Sequence, residues 1–237
     1  MNRCSLGTVA ELWRYPVKSM LGERCESLRF ETRGVEGDRQ FAIRDSAGKF
    51  GSGKNTRRFR KIDGLLRFTT RYCGSIPEIR FPSGEVVRGD SPSIDGTLSE
   101  ALGQLVVLSK EADVSHLDAG PVHLVTSASL KWLQSALPGT TISSCRFRPN
   151  IVVQCPGTGL VEQAWVGRKL RLGSEVRLLV SAQTERCGMV AFAQGELPVE
   201  PIVLRHITQF ADLKFGVYAQ VAVPGIVRLT DEVVLEG

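Results

Sequence analysis

The chain has 237 residues, of which 42% are hydrophobic and 23% are charged. This composition is ordinary for a folded globular protein, and it excludes a disordered, low-complexity chain. No run of about 18 apolar residues is present, which excludes a membrane-spanning helix. The first residues lack the apolar core of a signal peptide, so we expect a cytoplasmic protein.

Charge and cysteine content limit the possible partners. The net charge of +5 favours anionic partners, but phosphorylated cofactors, nucleic acid and acidic proteins all fit it. None of the six cysteines forms a Cys-x-x-Cys pair, which argues against an iron–sulfur cluster or a zinc knuckle built from this chain alone. The cysteines are Cys4, Cys25, Cys73, Cys145, Cys155 and Cys187.

Short apolar runs separated by glycine and proline dominate the first part of the chain, which predicts a β-rich barrel or sandwich. Gly84 supplies the turn of a predicted hairpin. The expected elements are strands at 9–15, 25–30, 40–44 and 65–72, a hairpin over 79–87, a short helix at 93–102 and a strand at 106–108.

The second part begins with a loop over 113–121 and is again mostly β-structure. Thr126 or Ser127 can cap a helix over 129–136, which Pro138 and Gly139 end. The other expected elements are a helix at 203–210 and strands at 122–125, 151–154, 170–172, 176–180, 217–221, 227–229 and 233–235.

Residues 48–55, Gly-Lys-Phe-Gly-Ser-Gly-Lys-Asn, nearly form a phosphate-binding P-loop. Asn55 replaces the hydroxyl residue that would bind Mg²⁺. No apolar helical stripe follows that would bring a helix N-terminus under the phosphates, so we do not expect nucleotide hydrolysis.

Residues 54–61 form a basic loop that contains five cations and Phe59. A run of this kind is usually a solvated loop. A functional loop would form the rim of an active site, dock an acidic redox partner or bind nucleic acid.

Two turns near the N-terminus carry groups that can bind an anion. Pro16 ends the preceding strand, so Lys18 and Ser19 lie on a turn where an ammonium and a hydroxyl can hold a phosphate. The glycines of 34–39 permit close approach of a ligand to Arg39. The alternatives are an ordinary surface lysine and a surface ion pair between Asp38 and Arg39.

The segment Arg-Phe-Arg-Pro-Asn-Ile at 146–151 is the most distinctive local pattern. Pro149 favours an extended Arg148. Strand alternation would then bring Arg146, Arg148 and Asn150 to one side, where they can grip a phosphate and a polar ring edge. Exposed strand arginines are the alternative.

The helix start at Thr126 and Ser127 offers free amides and hydroxyls that suit an anion, although plain N-capping explains both residues equally well. The three histidines, His116, His123 and His206, show no metal-ligand spacing with one another or with a carboxylate. His123 alternates with apolar residues, which is typical of a core histidine.

Cys187 follows a β-like run within the segment Glu-Arg-Cys-Gly-Met at 185–189. An adjacent arginine favours the thiolate form of a cysteine. A thiolate is the ligand that a soft metal requires.

Taken in this order, segments 15–19, 37–39, 146–151 and 185–189 resemble the MOSC family, and the resemblance covers nearly the whole chain. The closer branch carries an N-terminal β-barrel domain and includes the amidoxime-reducing molybdenum enzymes. The resemblance implies a β-rich α+β fold with few short helices. It divides the chain into an N-terminal β-barrel-like domain, 1–112, and a MOSC β-barrel domain, 113–237.

The resemblance also implies a molybdenum cofactor, in which one molybdopterin and the thiolate of Cys187 hold the metal. Cys187 is then both metal ligand and catalytic residue. The implied reaction reduces N-hydroxylated compounds, such as amidoximes and hydroxylamines, with electrons from a separate donor protein of the ferredoxin, flavodoxin or cytochrome b5 type. The implied cofactor contacts are Lys18, Ser19, Arg39, Thr126, Ser127, Arg146, Arg148, Asn150, Arg186 and Tyr218.

One departure from the pattern stands two residues before Cys187, where eukaryotic amidoxime reducers commonly have a small hydroxyl residue and this chain has Glu185. A carboxylate there can donate a proton or pair with Arg186. The alternative function is a carrier of cofactor or sulfur without reductase activity, as in the C-terminal part of molybdenum cofactor sulfurases. We expect neither a nucleic-acid nor a membrane partner.

Overall fold

A computed structural model describes residues 4–236 of the chain. The α-helices in this range are α1 (Ile94–Leu102), α2 (Ser127–Ala136) and α3 (Pro201–Ala211), and 3-10 helices lie at Leu65–Arg67, Ser144–Phe147, Val161–Trp165 and Gly188–Ala191. The strands are β1 (Cys4–Arg14), β2 (Glu23–Cys25), β3 (Ser27–Glu31), β4 (Gly34–Val35), β5 (Phe41–Asp45), β6 (Phe50–Ser52), β7 (Phe59–Lys61), β8 (Thr69–Cys73), β9 (Ile76–Arg80), β10 (Val86–Arg88), β11 (Val106–Lys110), β12 (Val122–Thr126), β13 (Ile151–Gln154), β14 (Lys169–Leu172), β15 (Val176–Glu185), β16 (Lys214–Val223), β17 (Gly225–Arg228) and β18 (Glu232–Glu236).

Seven strands close into a barrel in the order β13-β12-β16-β15-β14-β18-β1, with β1 pairing back onto β13. All neighbours are antiparallel except β12 and β13. Alternate residues point inward and fill the barrel, which gives a fully buried core that includes Leu12, Leu124 and Val217. The predicted β-barrel is therefore confirmed for this half of the fold.

The first strand of the chain belongs to this second barrel. Strand β1 pairs with β18 through Cys4–Leu235 and with β13 through Leu12–Ile151. Strands β3 and β4 also join β17 in a small sheet. A division at residue 112 therefore does not describe the packing of β1, which crosses from the start of the chain into the barrel.

The remaining N-terminal elements surround a separate core. Sheets β11-β5-β6-β7 and β10-β9-β8 pack with α1 around apolar side chains such as Met20, Phe68 and Ile79. Helix α1 ends at Gly103, whose φ of 66° is left-handed, and Asp95 near its start accepts from the Leu108 amide at 2.8 Å. The predicted N-terminal β-domain with one short helix is thus confirmed.

The predicted strand at 65–72 is only half correct. Gly64 starts a turn at φ 87°, the 3-10 helix Leu65–Arg67 follows, and strand β8 begins at Thr69. The consecutive side chains of Leu65 and Leu66 are both buried, at 3% and 6% exposure. Successive strand residues point to opposite faces, so burial of two adjacent side chains is more readily met by a helical turn than by a strand with one solvated face.

The segment 48–55 does not form a P-loop. Phe50–Ser52 is strand β6, and the chain turns into β7, which pairs with β6 in parallel. A strand therefore stands where a P-loop requires a helix. None of the helices within residues 4–236 has the length and apolar content needed to cross a membrane.

Helices α2 and α3 cover the outer side of the barrel near the end of β15. These helices pack around the third hydrophobic core of the protein, which contains Leu133, Phe147, Val190, Val203 and Phe215. Within it, the rings of Phe147 and Phe215 are stacked, with their centroids 4.2 Å apart. This packing holds the segment that follows Cys187.

Candidate functional site

A cavity of about 410 Å³ opens between the N-terminal domain and the barrel. Its size lies in the range of about 300–1,000 Å³ that is typical of ligand sites. The N-terminal domain contributes Lys18, Ser19, Ser52, Lys54, Arg58 and Phe59. The barrel and the segment before it contribute Leu117, Asp118, Ala119, Arg148, Glu185, Arg186, Cys187, Met189 and Tyr218.

The lining is strongly cationic. Its charged side chains are five cations and two carboxylates, a difference of three positive charges: Lys18, Lys54, Arg58, Arg148 and Arg186 against Asp118 and Glu185. A concave surface with this excess attracts anions.

Cys187 lies just after strand β15, two residues beyond Glu185, the last residue of that strand. Its backbone is extended, at φ −120° and ψ 179°, and the 3-10 helix Gly188–Ala191 starts immediately after it. Its side chain is exposed. Among the six cysteines, all within the described range, only Cys187 lines this cavity.

Arg186 immediately precedes Cys187 and is held by the barrel. It donates from Nη2 to the Phe147 carbonyl at 2.9 Å, and its Nη1 lies 3.3 Å from His123 Nε2. Burial and the neighbouring Arg186 lower the pKa of His123 well below its usual value, so the neutral ring accepts this bond. Burial likewise lowers the pKa of Arg186, and its Nε finds no partner in the described range.

Arg148 is a buried cation whose conformation differs from the sequence-based prediction. It ends the 3-10 helix Ser144–Phe147 at φ 53° and ψ 47°, a left-handed conformation, whereas we predicted an extended strand. A helical turn at 144–147 followed by a left-handed residue reverses the chain before Pro149, and this sends Arg146 and Arg148 in different directions. The predicted alternation along a strand is therefore wrong.

The left-handed Arg148 is fixed by its side chain. Its Nη1 donates to the Met20 carbonyl at 2.5 Å, and its guanidinium lies 4.4 Å from the ring centroid of Tyr15. Burial first and Arg39 second lower the pKa of Arg148. Its Nη2 is buried without a partner among residues 4–236, so this cavity-lining side chain retains an unused donor.

Asp118 joins the two domains at the bottom of the cavity. Lys18 Nζ donates to Asp118 Oδ1 and, at 2.9 Å, to the His116 carbonyl, while Arg39 Nε donates to Asp118 Oδ2 at 3.1 Å. Burial alone would raise the pKa of Asp118, but Lys18 and Arg39 lower it well below its usual range. Its carboxylate faces the open cavity and is 43% exposed, whereas the Lys18 side chain is 4% exposed.

Arg39 supports the cavity from behind. It pairs with the fully buried Asp38 as well as with Asp118, and it is not among the lining residues. Although burial disfavours its charge, Asp38 and Asp118 together raise the pKa of Arg39. The predicted cofactor contact at Arg39 stays a prediction, and the observed role is to hold Asp118 in place.

Ser19 and Tyr218 both line the cavity as predicted, on opposite walls. Ser19 adopts a left-handed φ of 65° and donates to the Gly51 carbonyl at 3.0 Å. Tyr218, on β16, packs so closely on Gly120 that a Cβ there would lie 2.7 Å from its ring. Burial raises the pKa of Tyr218, so its hydroxyl stays protonated near neutral pH.

Four further predicted contacts lie outside the cavity lining. Thr126 caps α2, accepting from the Ser129 amide at 3.1 Å, and donates to the buried Glu162 at 2.7 Å. Ser127 exchanges bonds with the backbone of Cys155 at 3.0 Å. The capping alternative describes Thr126, whereas Ser127 ties the start of α2 to the chain just after β13.

Arg146 and Asn150 serve the scaffold in the same way. Arg146 is fully buried and donates to the carbonyls of Val190, Phe192 and Pro198 at 2.9–3.4 Å, so it fixes the segment after Cys187. Asn150 links β1 to β12 by donating to the Trp13 carbonyl at 3.3 Å and accepting from the His123 amide at 3.1 Å.

The basic loop contributes part of the cavity wall. Residues 53–59, here called the rim loop, bring Lys54, Arg58 and Phe59 to the lining. Arg58 also donates to the Ser115 carbonyl. Arg60 pairs with Asp45 at 2.8 Å and Lys61 with Asp63 at 3.3 Å, away from this cavity.

The cavity fits an anionic, polar group that contributes its own metal ligands. Arg148 and Arg186 each keep a buried N–H without a partner, and both line the cationic cavity. Cys187 offers one accessible sulfur. Within residues 4–236, no group of three or more His, Cys, Asp or Glu side chains is arranged to hold a metal ion.

Two family models match the chain. The MOSC domain matches residues 111–234, and the MOSC N-terminal beta barrel domain matches residues 6–75. The chain belongs to the MOSC family. MOSC domains are known from molybdenum cofactor sulfurases and from proteins similar to YuaD and YiiM, and they are associated with molybdenum cofactor binding.

Solved structures share the fold at low identity. The YuaD protein from Bacillus subtilis is 15% identical, with a TM-score of 0.56 over 99% of this chain and 97% of that chain. A hypothetical protein is 10% identical, with a TM-score of 0.50 over 98% of this chain and 69% of that chain. YiiM from Geobacillus stearothermophilus is 19% identical over 50% of this chain and 55% of that chain, with a TM-score of 0.40. No curated protein matches the chain.

Proposed function

We propose that this protein binds a molybdenum cofactor and reduces N-hydroxylated compounds, such as amidoximes or hydroxylamines. One observation carries the proposal: the accessible thiol of Cys187 lines a cationic cavity together with Arg148 and Arg186, which each keep a buried donor without a partner among residues 4–236. Unpaired buried donors cost stability unless a ligand accepts from them. A pterin with a phosphate offers such acceptors.

The cavity residues fall into two chemical groups, those that would hold the cofactor and the one that would bind the metal. Arg148, Arg186 and Lys18 are the donors that would hold the phosphate and the pterin edge, since guanidinium and ammonium groups bind oxyanions and polar ring atoms. The Ser19 hydroxyl donates to the Gly51 carbonyl, so its oxygen would accept from a pterin N–H. The Cys187 thiolate would be the protein's ligand to molybdenum. The bound cofactor supplies two-electron oxygen-atom transfer.

Proton delivery falls to the protein. Conversion of an N–OH group to N–H and water consumes two electrons and two protons. Glu185, an exposed carboxyl in the cavity lining, can donate a proton to the departing oxygen, and the protonated Tyr218 hydroxyl can orient the substrate. A separate donor protein of the ferredoxin, flavodoxin or cytochrome b5 type would deliver the electrons.

Molybdenum and pterin content test this proposal directly. We would purify the wild type, Cys187→Ala and the matched control Cys73→Ala, another exposed cysteine, from a molybdate-supplemented host that makes the cofactor. We expect near-stoichiometric molybdenum and pterin in the wild type and the control. In Cys187→Ala we expect the molybdenum to be lost and pterin to be retained through the cationic contacts.

Absence of both molybdenum and pterin from the wild type would contradict the proposal that the protein binds a molybdenum cofactor. Reduction of a panel of amidoximes and hydroxylamines with a chemical electron donor then tests the reaction. Stoichiometric cofactor without any reduction would assign the protein to the carrier class.

A further inference from the structure

A second cavity of about 280 Å³ lies beside the first. Its walls are largely apolar: the N-terminal domain contributes Ile62, Leu65 and Leu66, and the segment after Cys187 contributes Met189, Phe192, Ala193 and Val199. Leu65 and Leu66 are core residues that expose only an edge here, whereas Val199 is 61% exposed.

The two cavities adjoin. Ser19, Ser52 and Met189 line both of them. Gly53 lines the second cavity and has no side chain: a Cβ there would lie 2.4 Å from the Phe192 ring and 2.7 Å from Met189 Sδ. Any larger residue at this position would therefore push on Met189, which lines both cavities, and on Phe192, which lines the second.

The cavities differ in chemistry. The first is lined by five cations, while the second has charged residues only where it meets solvent, and its Lys61 is paired with Asp63 at 3.3 Å. Apolar walls are poorly solvated by water and gain from contact with an apolar group. An engineered apolar cavity of about 150 Å³ holds benzene, so about 280 Å³ accommodates a substituted aromatic ring.

We propose that the second cavity is a substrate subsite that receives the apolar group of a molecule whose N-hydroxylated head lies in the first cavity. It selects amphipathic substrates with an aromatic or branched aliphatic substituent. This inference rests on the proposed function for the identity of the head group. The apolar selectivity itself comes from Leu66, Phe192 and Val199.

Two variants change the subsite from exposed positions, where misfolding is not expected. Val199→Asp places a carboxylate on the apolar wall, and Ala193→Phe fills the space. Their matched controls are Val223→Asp, at a position that is 46% exposed on β16, and Ala47→Phe, at an exposed position on the β5–β6 turn. Neither control position lines a cavity described above.

The probes are benzamidoxime and acetamidoxime, which share a head group and differ in the apolar substituent. Calorimetric titration of the cofactor-loaded protein gives Kd, and steady-state reduction gives kcat/KM. We expect the wild type and both controls to prefer benzamidoxime at least about tenfold in both measurements, and Val199→Asp and Ala193→Phe to abolish the preference.

These measurements distinguish failure of the subsite proposal from failure of the proposed reductase activity. An equal preference for benzamidoxime in the subsite variants and in their controls, or no preference in the wild type, would overturn the subsite whether or not reduction occurs. A preference in Kd that both variants abolish, without turnover of either probe, would support the subsite and remove the reductase.

Discussion

The cavity floor and the rim loop bring cations to the same space, but they hold them differently. The floor is formed by the lining residues Lys18, Asp118 and Arg148, which Tyr15 and Arg39 support from behind. Hydrogen bonds, ion pairs and ring contacts interlock these side chains across the two domains. On the rim loop, Lys54 and Arg58 are exposed. Lys54 Nζ lies 5.5 Å from the Phe59 ring centroid.

This difference separates two electrostatic roles. A cation whose position is fixed before the ligand arrives loses little conformational entropy on binding, and its donors point where the scaffold directs them. An exposed, flexible cation is screened by salt and affects mainly the rate of encounter. We therefore expect the floor to determine whether a ligand stays and the rim loop to determine how fast it arrives.

The largest effect is expected at Arg148. Arg148→Met removes a buried charge-assisted donor, so cofactor retention should fall by roughly 30-fold or more. The stability of the apoprotein should change by less than about 1 kcal/mol, because the lost bond to the Met20 carbonyl is offset by relief of a buried charge with an unpaired Nη2. Pterin content and urea unfolding of the cofactor-free protein measure the two effects.

The control for this prediction is Arg80→Met, at an exposed strand arginine outside the cavity. It should leave both measurements unchanged. Full retention of pterin in Arg148→Met would show that the floor does not hold the ligand through this side chain.

Arg146 tests the scaffold behind the floor. Arg146→Met leaves the carbonyls of Val190, Phe192 and Pro198 without their donor, which we expect to cost about 2 kcal/mol of unfolding free energy. Hydrogen exchange should accelerate in residues 188–198, because the backbone of that segment loses its anchor. Unchanged exchange there, measured against Arg80→Met, would contradict the anchoring role.

Asp118 tests the ion pairs that join the domains. Asp118→Asn leaves Lys18 and Arg39 without a shared carboxylate, at an expected cost of about 1.5 kcal/mol at pH 7. This figure lies below that for a fully buried pair because the carboxylate is 43% exposed. Urea unfolding measures it, with Asp90→Asn, which alters an exposed pair with Arg88, as the control.

The same pair of variants gives a pH dependence. The folded-state pKa of Asp118 lies below its ordinary value of 3.8, so the unfolded chain takes up a proton first as the pH falls. The stabilisation is therefore fully present above about pH 5 and is lost progressively below about pH 4. The difference between the wild type and Asp118→Asn should shrink over that interval, and a constant difference would exclude the ion pairs as its cause.

The smallest effect is expected on the rim loop. Lys54→Ala should slow cofactor reconstitution by less than about threefold at low salt, and the effect should vanish near 0.5 M salt because the Debye length is then only about 4–5 Å. Stopped-flow reconstitution of the apoprotein measures it, with Lys49→Ala outside the cavity as the control. A large, salt-independent loss in Lys54→Ala would remove the distinction between floor and rim.

Local patterns predicted most of the secondary structure. Apolar alternation indicated the barrel strands, and the Thr126 cap indicated α2. Each of these signals is local, since it depends on residues only a few positions apart in the chain. The pattern failed at Leu65 and Leu66, where two adjacent core contacts require a helical turn. It also missed the short strands β6 and β7, whose glycine-rich and basic residues read as a loop.

The candidate site was predictable only in part. The position of Cys187 after a strand, and the turn that carries Lys18 and Ser19, are local features, and the structure brings these residues to one cavity. Asp118 gave no sequence signal as a partner of Lys18, because 100 residues separate them. Met189 resembled an ordinary apolar residue and was likewise missed as lining, whereas Phe59 belongs to the basic loop for which an active-site rim was one of the predicted roles.

The sequence by itself determined the family resemblance, the two β-rich halves and Cys187 as the cysteine with a distinctive context, since each depends on short local patterns and on their order along the chain. Only the tertiary structure decided which cations face the cavity. A left-handed turn at Arg148 directs this residue to the floor and leaves Arg146 in the scaffold, and strand β1 closes a barrel whose other strands begin more than 100 residues later. Backbone reversals and long-range strand pairing depend on the packing of the whole chain, which no local pattern contains.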